Sequence, residues 1–454
     1  MLATLDLRGR DLDGDIARLL PRPAIAGEEP RHVVADVIAD VRAHGDRVLK
    51  ELTARFDGVT LESLRVPTDE LDAALESIDP ELRAAMEASI DAIAEFHRHQ
   101  LRPPETLVRD GITINAFQRP VGRAGLYVPG GRAEYPSTVL MTAVPAKVAG
   151  VPSVALCVPP TAGPHPGVAS SVLAAARLAG VDEVYAVGGA QAIAALAYGT
   201  ESIRPVDVIA GPGNVYVALA KQMVAGDVGI AAAFAGPSEV IVVADDSAEP
   251  AYAAIDLMVQ AEHGPDGLAW LVTWDESVAR EICEVGEQLL ADSPRADDIR
   301  ATLAEGGYVA LVDSPAAALK VVDAIAPEHL ELMCHDAEGM AAKVQNAGAI
   351  FCGTYSPAAL GDYIAGPSHV LPTYGSARFA SALTVGDFLK DHHVVTASAD
   401  GLAEVGPHVI AFADREGLAA HAESVRLRLR DLFDDCADAG TTAGVDGGGD
   451  GDDG

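Results

Sequence analysis

The apolar positions of this chain change rhythm near residue 120. Before that point Val33, Val34, Val37, Ile38, Val41, Val48 and Leu49 fall on one stripe and predict an amphipathic helix over residues 31–58, closed by the turn FDG. Residues 80–100, rich in Ala and Glu, predict a second helix. Beyond 120 come short β-branched runs, each followed by a Gly/Pro turn and an Ala-rich helical stretch: GLYVPGG, VPSVALCVPP, DEVYAVGGAQAIAALAYG and VDVIAGPGNVYVALAKQMV. Strand, turn and helix in repeated order predict a parallel α/β sheet with both faces covered. The rhythm resumes at EVIVVADD, LAWLVTWD and GYVALVD, so a second α/β unit is expected after about residue 237. The Gly- and Asp-rich tail from Asp434, ending VDGGGDGDDG, is expected to be disordered.

Composition narrows the class. A chain of 454 residues, 49% hydrophobic, can bury two or three cores. No apolar run is long enough to span a bilayer, and MLATLDLRGRDLDGDIARLL lacks the basic and apolar segments of a signal peptide. A soluble, cytoplasmic protein is expected. Asp plus Glu number 67 against 32 Lys plus Arg, a net charge of −35, which excludes a nucleic-acid backbone or an anionic membrane as partner. Lysine is confined to Lys50, Lys147, Lys221, Lys320, Lys343 and Lys390. Such a surface resembles that of halophile proteins, because molar salt shortens the Debye length to about 3 Å and removes self-repulsion. An ordinary acidic enzyme is the plain alternative. The cysteines, Cys157, Cys283, Cys334, Cys352 and Cys436, form no CxxC pair, so any metal must be held by His, carboxylate or amide groups.

Four polar clusters interrupt the apolar text. QAEHGPD places Gln260 and His263 three apart at a helix end, on one face. APEHLEL sets Glu328 beside His329, a pairing that suits a general base and its partner. GDYIAGPSHVLPTYG carries Asp362 and His369 on a Gly/Pro-rich loop, and DREGLAAHAESVRLR carries Glu416 and His421 at a helix start. Taken singly, each also reads as a solvated face or a cap. Together Gln260, His263, Asp362 and His421 supply two imidazoles, a carboxylate and an amide oxygen, a set suited to Zn²⁺. Two Gly-rich turns, VGGAQAIA and AGPGNVYVALAK, precede helices and can present backbone N–H groups to a phosphate, although neither follows GxGxxG.

The strings GLYVPGG, AVGGAQAIAALAYGT, AGPGNVYVALAK, AGPSEV, QAEHGPD, APEHLEL and GDYIAGPSHVLPTYG, in this order, resemble the histidinol dehydrogenase family from about Arg31 to the REGLAAHAESVRLR segment. The resemblance implies an α/β fold of two Rossmann-like parallel-sheet domains with small helical N- and C-terminal segments, in an intertwined homodimer. It divides the chain into a helical segment at 1–22, a first domain at 23–104 and 127–237 on the NAD side, and a second at 105–126 and 238–385 with the catalytic groups. A helical segment at 386–433 then reaches the partner subunit. It implies Zn²⁺ on Gln260, His263, Asp362 and His421, and Glu328 and His329 as catalytic groups. Ser238, His369 and Glu416 join the zinc residues and His329 around L-histidinol, while Tyr127, Gln191 and Asn214 touch NAD. Glu416 and His421 complete the site of the other subunit by the same likeness.

The implied reaction is a four-electron oxidation of L-histidinol through L-histidinal to L-histidine, with His329 as base, Glu328 activating water and zinc anchoring the substrate. Glu134, and the pair His392 and His393, depart from the family pattern and are read as surface or lineage changes. Three rival readings stand beside this one. A relative of the same fold acting on another alcohol, such as a sulfonated diol, would favour a cation among the substrate groups. A metal-dependent hydrolase has no use for a nicotinamide site, and a scaffold needs no Asp, His and Glu gathered in Gly-bounded loops.

Overall fold

The computed structural model describes residues 2–14, 16–21, 28–130, 133–163, 166–231, 238–262 and 267–441. Two units emerge: one of residues up to Leu101 with Pro120–Leu389, the other of Arg102–Arg119 with Lys390 onward.

The larger unit opens with strand β1 (Ala3–Asp6), then helices α1 (Glu28–Phe56), α2 (Thr68–Ser77) and α3 (Pro80–Arg98). In the smaller unit β2 (Glu105–Arg109) and β3 (Ile112–Pro120) form an antiparallel hairpin. Its two-residue loop, Asp110-Gly111, has positive φ at both positions, the geometry whose twist matches paired strands. The chain returns to the larger unit as β4 (Ala124–Tyr127), α4 (Pro136–Val148), β5 (Val154–Val158), α5 (Ser170–Leu178) and β6 (Glu183–Ala186). It continues as α6 (Gly189–Tyr198), β7 (Val208–Ala210), α7 (Val215–Val224) and β8 (Gly229–Ile230). These strands make a parallel sheet in the order β6-β5-β4-β7-β8. Each is too apolar to face water, so helices cover both sides: α2, α3, α4 and α5 on one, α1, α6 and α7 on the other.

A second parallel sheet follows the same logic. Its strands are β9 (Glu239–Ala244), β10 (Leu268–Thr273), β11 (Gly307–Leu311), β12 (His329–Met333) and β13 (Ala349–Cys352), joined by β1 at one edge in the order β1-β11-β10-β9-β12-β13. Its connecting helices are α8 (Pro250–Ala261), α9 (Glu276–Ala291), α10 (Ala296–Gly306), α11 (Pro315–Ile325) and α12 (Ala337–Ala341). Alternation along β9 sends Val240 and Val242 into the core under α8, α9 and α10, and Ile241 and Val243 into the core beneath α11 and α12. Burying side chains of this size stabilises the fold by about 1.5–3 kcal/mol each. A short helix α13 (Ala358–Tyr363) and a long loop close the larger unit, and Val370, Leu383, Val385 and Phe388 of that loop pack into the core of the first sheet. The smaller unit continues with β14 (Leu389–Ala397), which joins the hairpin in the order β14-β3-β2, then α14 (Ala399–Arg415) and α15 (Ala419–Thr441).

The α/β class and the two parallel sheets agree with the sequence reading; several boundaries do not. Residues 3–6 are a strand paired with β11 rather than part of a helix, and Ile16–Arg18 form a single 3-10 turn. Segment 105–126, expected with the second sheet, supplies the hairpin of the smaller unit and β4, the central strand of the first sheet. Residues 386–433 begin with β14 before turning helical. The helix α15 runs on to Thr441, and the tail from 442 lies outside the described residues. Among the described residues no helix is long and apolar enough to cross a membrane.

Candidate active site

Parallel strands give each sheet one carboxyl edge and one amino edge. On the first sheet Tyr127 ends β4, the Gly188-Gly189 turn follows β6, and Asn214 follows β7, all at the carboxyl edge. On the second sheet the chemistry gathers at the opposite edge. Ser238 precedes β9, Glu239 opens it, and Glu328 and His329 sit at the start of β12. The two edges meet at His369, whose Nε2 lies 3.1 Å from Thr138 Oγ1 in the first turn of α4. Ser368 Oγ donates to Met141 O on the same helix.

His329 is the centre of the cluster, 3% exposed. Its Nδ1 is 3.1 Å from the Glu239 carbonyl oxygen, which only accepts, so Nδ1 carries the proton and donates. In the neutral ring Nε2 then holds the lone pair, and it faces Asp362 Oδ1 at 3.5 Å. Glu328 Oε2 lies 3.6 Å from Nδ1 and accepts from Glu239 N at 2.9 Å. Burial disfavours the imidazolium, but the carboxylates of Glu328 and Asp362 outweigh it and raise the His329 pKa well above 6.5. His369 Nδ1 donates to the Asp362 carbonyl at 3.0 Å, and burial lowers its pKa, so this ring stays neutral. Glu328, His329, Asp362 and His369 are therefore brought together.

The buried acids converge on the same place. Among the described residues the buried carboxyl side chains are Glu239, Asp245, Asp256, Glu328 and Glu331, and all but Asp245 belong to this neighbourhood. Burial, then the neighbouring Glu328, pushes Glu239 up to about 8. Burial, then Asp256, pushes Glu331 up to about 9, and burial raises Asp256 in turn. Carboxyls perturbed by burial and by each other beside a His are a candidate functional site.

The proposed metal donors divide by location. Gln260 lies near the end of α8, 1% exposed, its Nε2 without a hydrogen-bond partner among the described residues. The unmatched Nε2 is a donor open to an acceptor, and the amide oxygen is the atom of this buried side chain that an ion would take. Asp362, expected on a loop, is carried by α13. The amide oxygen and carboxylate, with imidazoles, form a donor set that fits a borderline divalent ion. His263 lies outside the described residues. His421, in the first turn of α15, and Glu416, the C-cap of α14, belong to the smaller unit, and both are exposed there.

Of the expected nicotinamide contacts, Tyr127 is buried and its hydroxyl accepts from Gly189 N at 3.1 Å, while Gln191 is buried in the first turn of α6. Asn214 is exposed and caps α7, its Oδ1 accepting from Tyr216 N and Val217 N at 3.1 Å. Ser238 is half-buried, its carbonyl paired with Leu268 N. Of the departures, Glu134 accepts a hydrogen bond from Ser171 at 2.5 Å, and His392 stacks on Phe117 in the smaller unit.

Sequence reasoning missed Glu239, Glu331 and Asp256. Glu331 stood in the quoted string APEHLEL, and strand alternation would have put it on the face of His329. Asp245, Asp246 and His335 also come close enough together to hold an ion. They lie at the carboxyl edge of the same two strands, where Asp245 already accepts from Ser247 and His335 N.

A family model described as histidinol dehydrogenase matches residues 20–429. The chain is 49% identical over 404 residues to the histidinol dehydrogenase of Synechococcus sp., covering 88% of this chain and 92% of that one. It is 44% identical over 435 residues to that of Syntrophotalea carbinolica, covering 95% and 100%. The crystal structure of histidinol dehydrogenase from Elizabethkingia anophelis superposes with a TM-score of 0.89 at 33% identity, over 95% of this chain and 99% of that one. With fold, edge geometry and sequence in agreement over nearly its whole length, the chain belongs to the histidinol dehydrogenase family.

Proposed function

We propose that the chain oxidises L-histidinol to L-histidine through L-histidinal, using NAD twice, as a step of histidine biosynthesis. The family membership carries this reading; the cluster of Glu328, His329, Asp362 and His369 supports it. One alcohol, two NAD⁺ and one water give one carboxylate, two NADH and three protons. When bound, NAD accepts a hydride in each step and a zinc ion anchors the substrate's imidazole and amine nitrogens.

The chain's own groups handle protons and position. His329 takes the hydroxyl proton of the alcohol at Nε2, the nitrogen that its bond to Glu239 leaves as the acceptor. Glu328 takes a proton from the water that adds to the aldehyde, and His329 takes the next as the hydrate is oxidised. His369, neutral and held on Asp362 and Thr138, offers the substrate a polar wall without a cation, which supports an amino alcohol over a sulfonated diol. The residues that would hold zinc are Gln260, His263, Asp362 and His421. We further propose a homodimer in which His421 and Glu416 complete the partner's site.

The test is NADH formation with L-histidinol in zinc-containing buffer at high KCl. Two NADH per histidinol with histidine as product are expected. A folded protein that makes none, or stops at one NADH with histidinal released, would overturn the reading. Exhaustive chelation, with metal shown absent, is expected to abolish turnover, and added zinc to restore it.

A further inference from the structure

Glu331 has no part in the chemistry above, yet it reaches α8 and α13, two of the helices that carry proposed zinc donors. It lies two residues beyond His329 on β12, so alternation sends both side chains to one face. It is 1% exposed. Its Oε1 accepts from Ala358 N at 2.7 Å, and Ala358 opens α13, which presents Asp362 one helical turn later. Oε2 finds no N–H or hydroxyl donor; the carboxyl lies instead beside that of Asp256 on α8, close enough for the two to share a proton. Gln260 follows Asp256 by four residues, on the same face of α8. One side chain thus ties the turn before Gln260 to the turn before Asp362, across the strand that carries His329.

Stability does not explain this arrangement. Two buried carboxyls bond only by sharing a proton, and apolar side chains of similar volume serve a core at least as well. Linked polar groups that aim metal donors do justify it, because such supports set the orientation of the ligands they hold.

We propose that Glu331, with Asp256, is a positioning residue that locks α8 to α13 and so fixes Gln260 and Asp362 beside His329. This rests on the zinc-holding set proposed above. The experiment measures zinc release from the full-length, zinc-loaded protein into a chromophoric chelator, with folding checked by circular dichroism. In Glu331→Gln the amide oxygen still accepts from Ala358 N and the amide nitrogen donates to Asp256, so release at the wild-type rate is expected. In Glu331→Leu both ties are lost, and release about 10–100-fold faster is expected, with a raised KM for histidinol. Gln260→Ala and Asp362→Ala serve as references and are expected to lose zinc outright. Folded Glu331→Leu that releases zinc at the wild-type rate, while the references lose it, overturns the positioning role alone. If the references keep zinc as the wild type does, the zinc set falls and this inference with it. Should Glu331→Leu fail to fold, Asp256→Ala reads the same tie from α8, and wild-type release there is equally fatal.

Discussion

His329 and Lys221 show how burial gives single residues opposite duties. The carboxylates around His329 favour its imidazolium against burial, and its pKa stands well above 6.5. A base must be neutral to act, so turnover at saturating histidinol is expected to climb as pH rises above 6.5. A rate that is flat or falling across that range would remove His329 from the role. His329→Asn is expected to lower kcat by about 10²–10⁴-fold with zinc content unchanged. Lys221 is fully buried on α7, its Nζ donating to Gly211 O, and burial brings its pKa from 10.5 down to about 7. Between those values the unfolded chain binds the proton and the folded one does not, so this residue makes stability rise with pH. The cost is complete below about pH 7 and gone above 10.5. Lys221→Met is therefore expected to gain most on the wild type at low pH, by about 5 kcal/mol at the limit, with the gain fading towards pH 10.5. Urea unfolding of both proteins across that range checks the sign; a constant difference would show that Lys221 stays charged in the fold.

At the scale of elements, the long helix α1 is the instructive case. Its apolar stripe was legible, but its interior break was not: Gly45 has φ 53 and ψ −135 inside an otherwise helical run. A Cβ there would stand 2.1 Å from Glu201 Oε2, which accepts from Asp46 N at 2.8 Å. Gly45→Ala, a gain for an ordinary helix, is expected here to cost about 1–3 kcal/mol in thermal or urea unfolding. An unchanged or raised stability would mean that α1 straightens at no cost. The hairpin β2–β3 was missed although its signal was present, since Asp-Gly between two short strands is a strong turn marker. Its strands lack the apolar density of the parallel ones, every residue of β2 being exposed, and so did not stand out. Strand β1 escaped notice because it is four residues long and gains its identity only by pairing with β11.

For the whole molecule the dominant fact is a net charge of −35. Among the described residues only the few acids named above are buried, and the repulsion of the others is screened by salt. The unfolding midpoint followed by circular dichroism is expected to rise by several degrees from about 0.1 M to about 2 M KCl. Equal midpoints would show that surface repulsion does not limit this fold, and the acidity would need another reason. The sequence alone determined the α/β class, the two parallel sheets, the strand-to-helix turns and the family, because period, turn chemistry and long motif strings are local properties of the chain. It also singled out Glu328, His329, Asp362 and His369, which the fold gathers. What only the tertiary structure decided is how the site is supported: Glu239 orienting the His329 ring, Thr138 receiving His369 across two sheets, and Glu331 joined to Asp256 and Ala358. Those partners lie 90, 231, 75 and 27 residues apart in the chain, and strand order and burial bring them together, so no local pattern could have announced them.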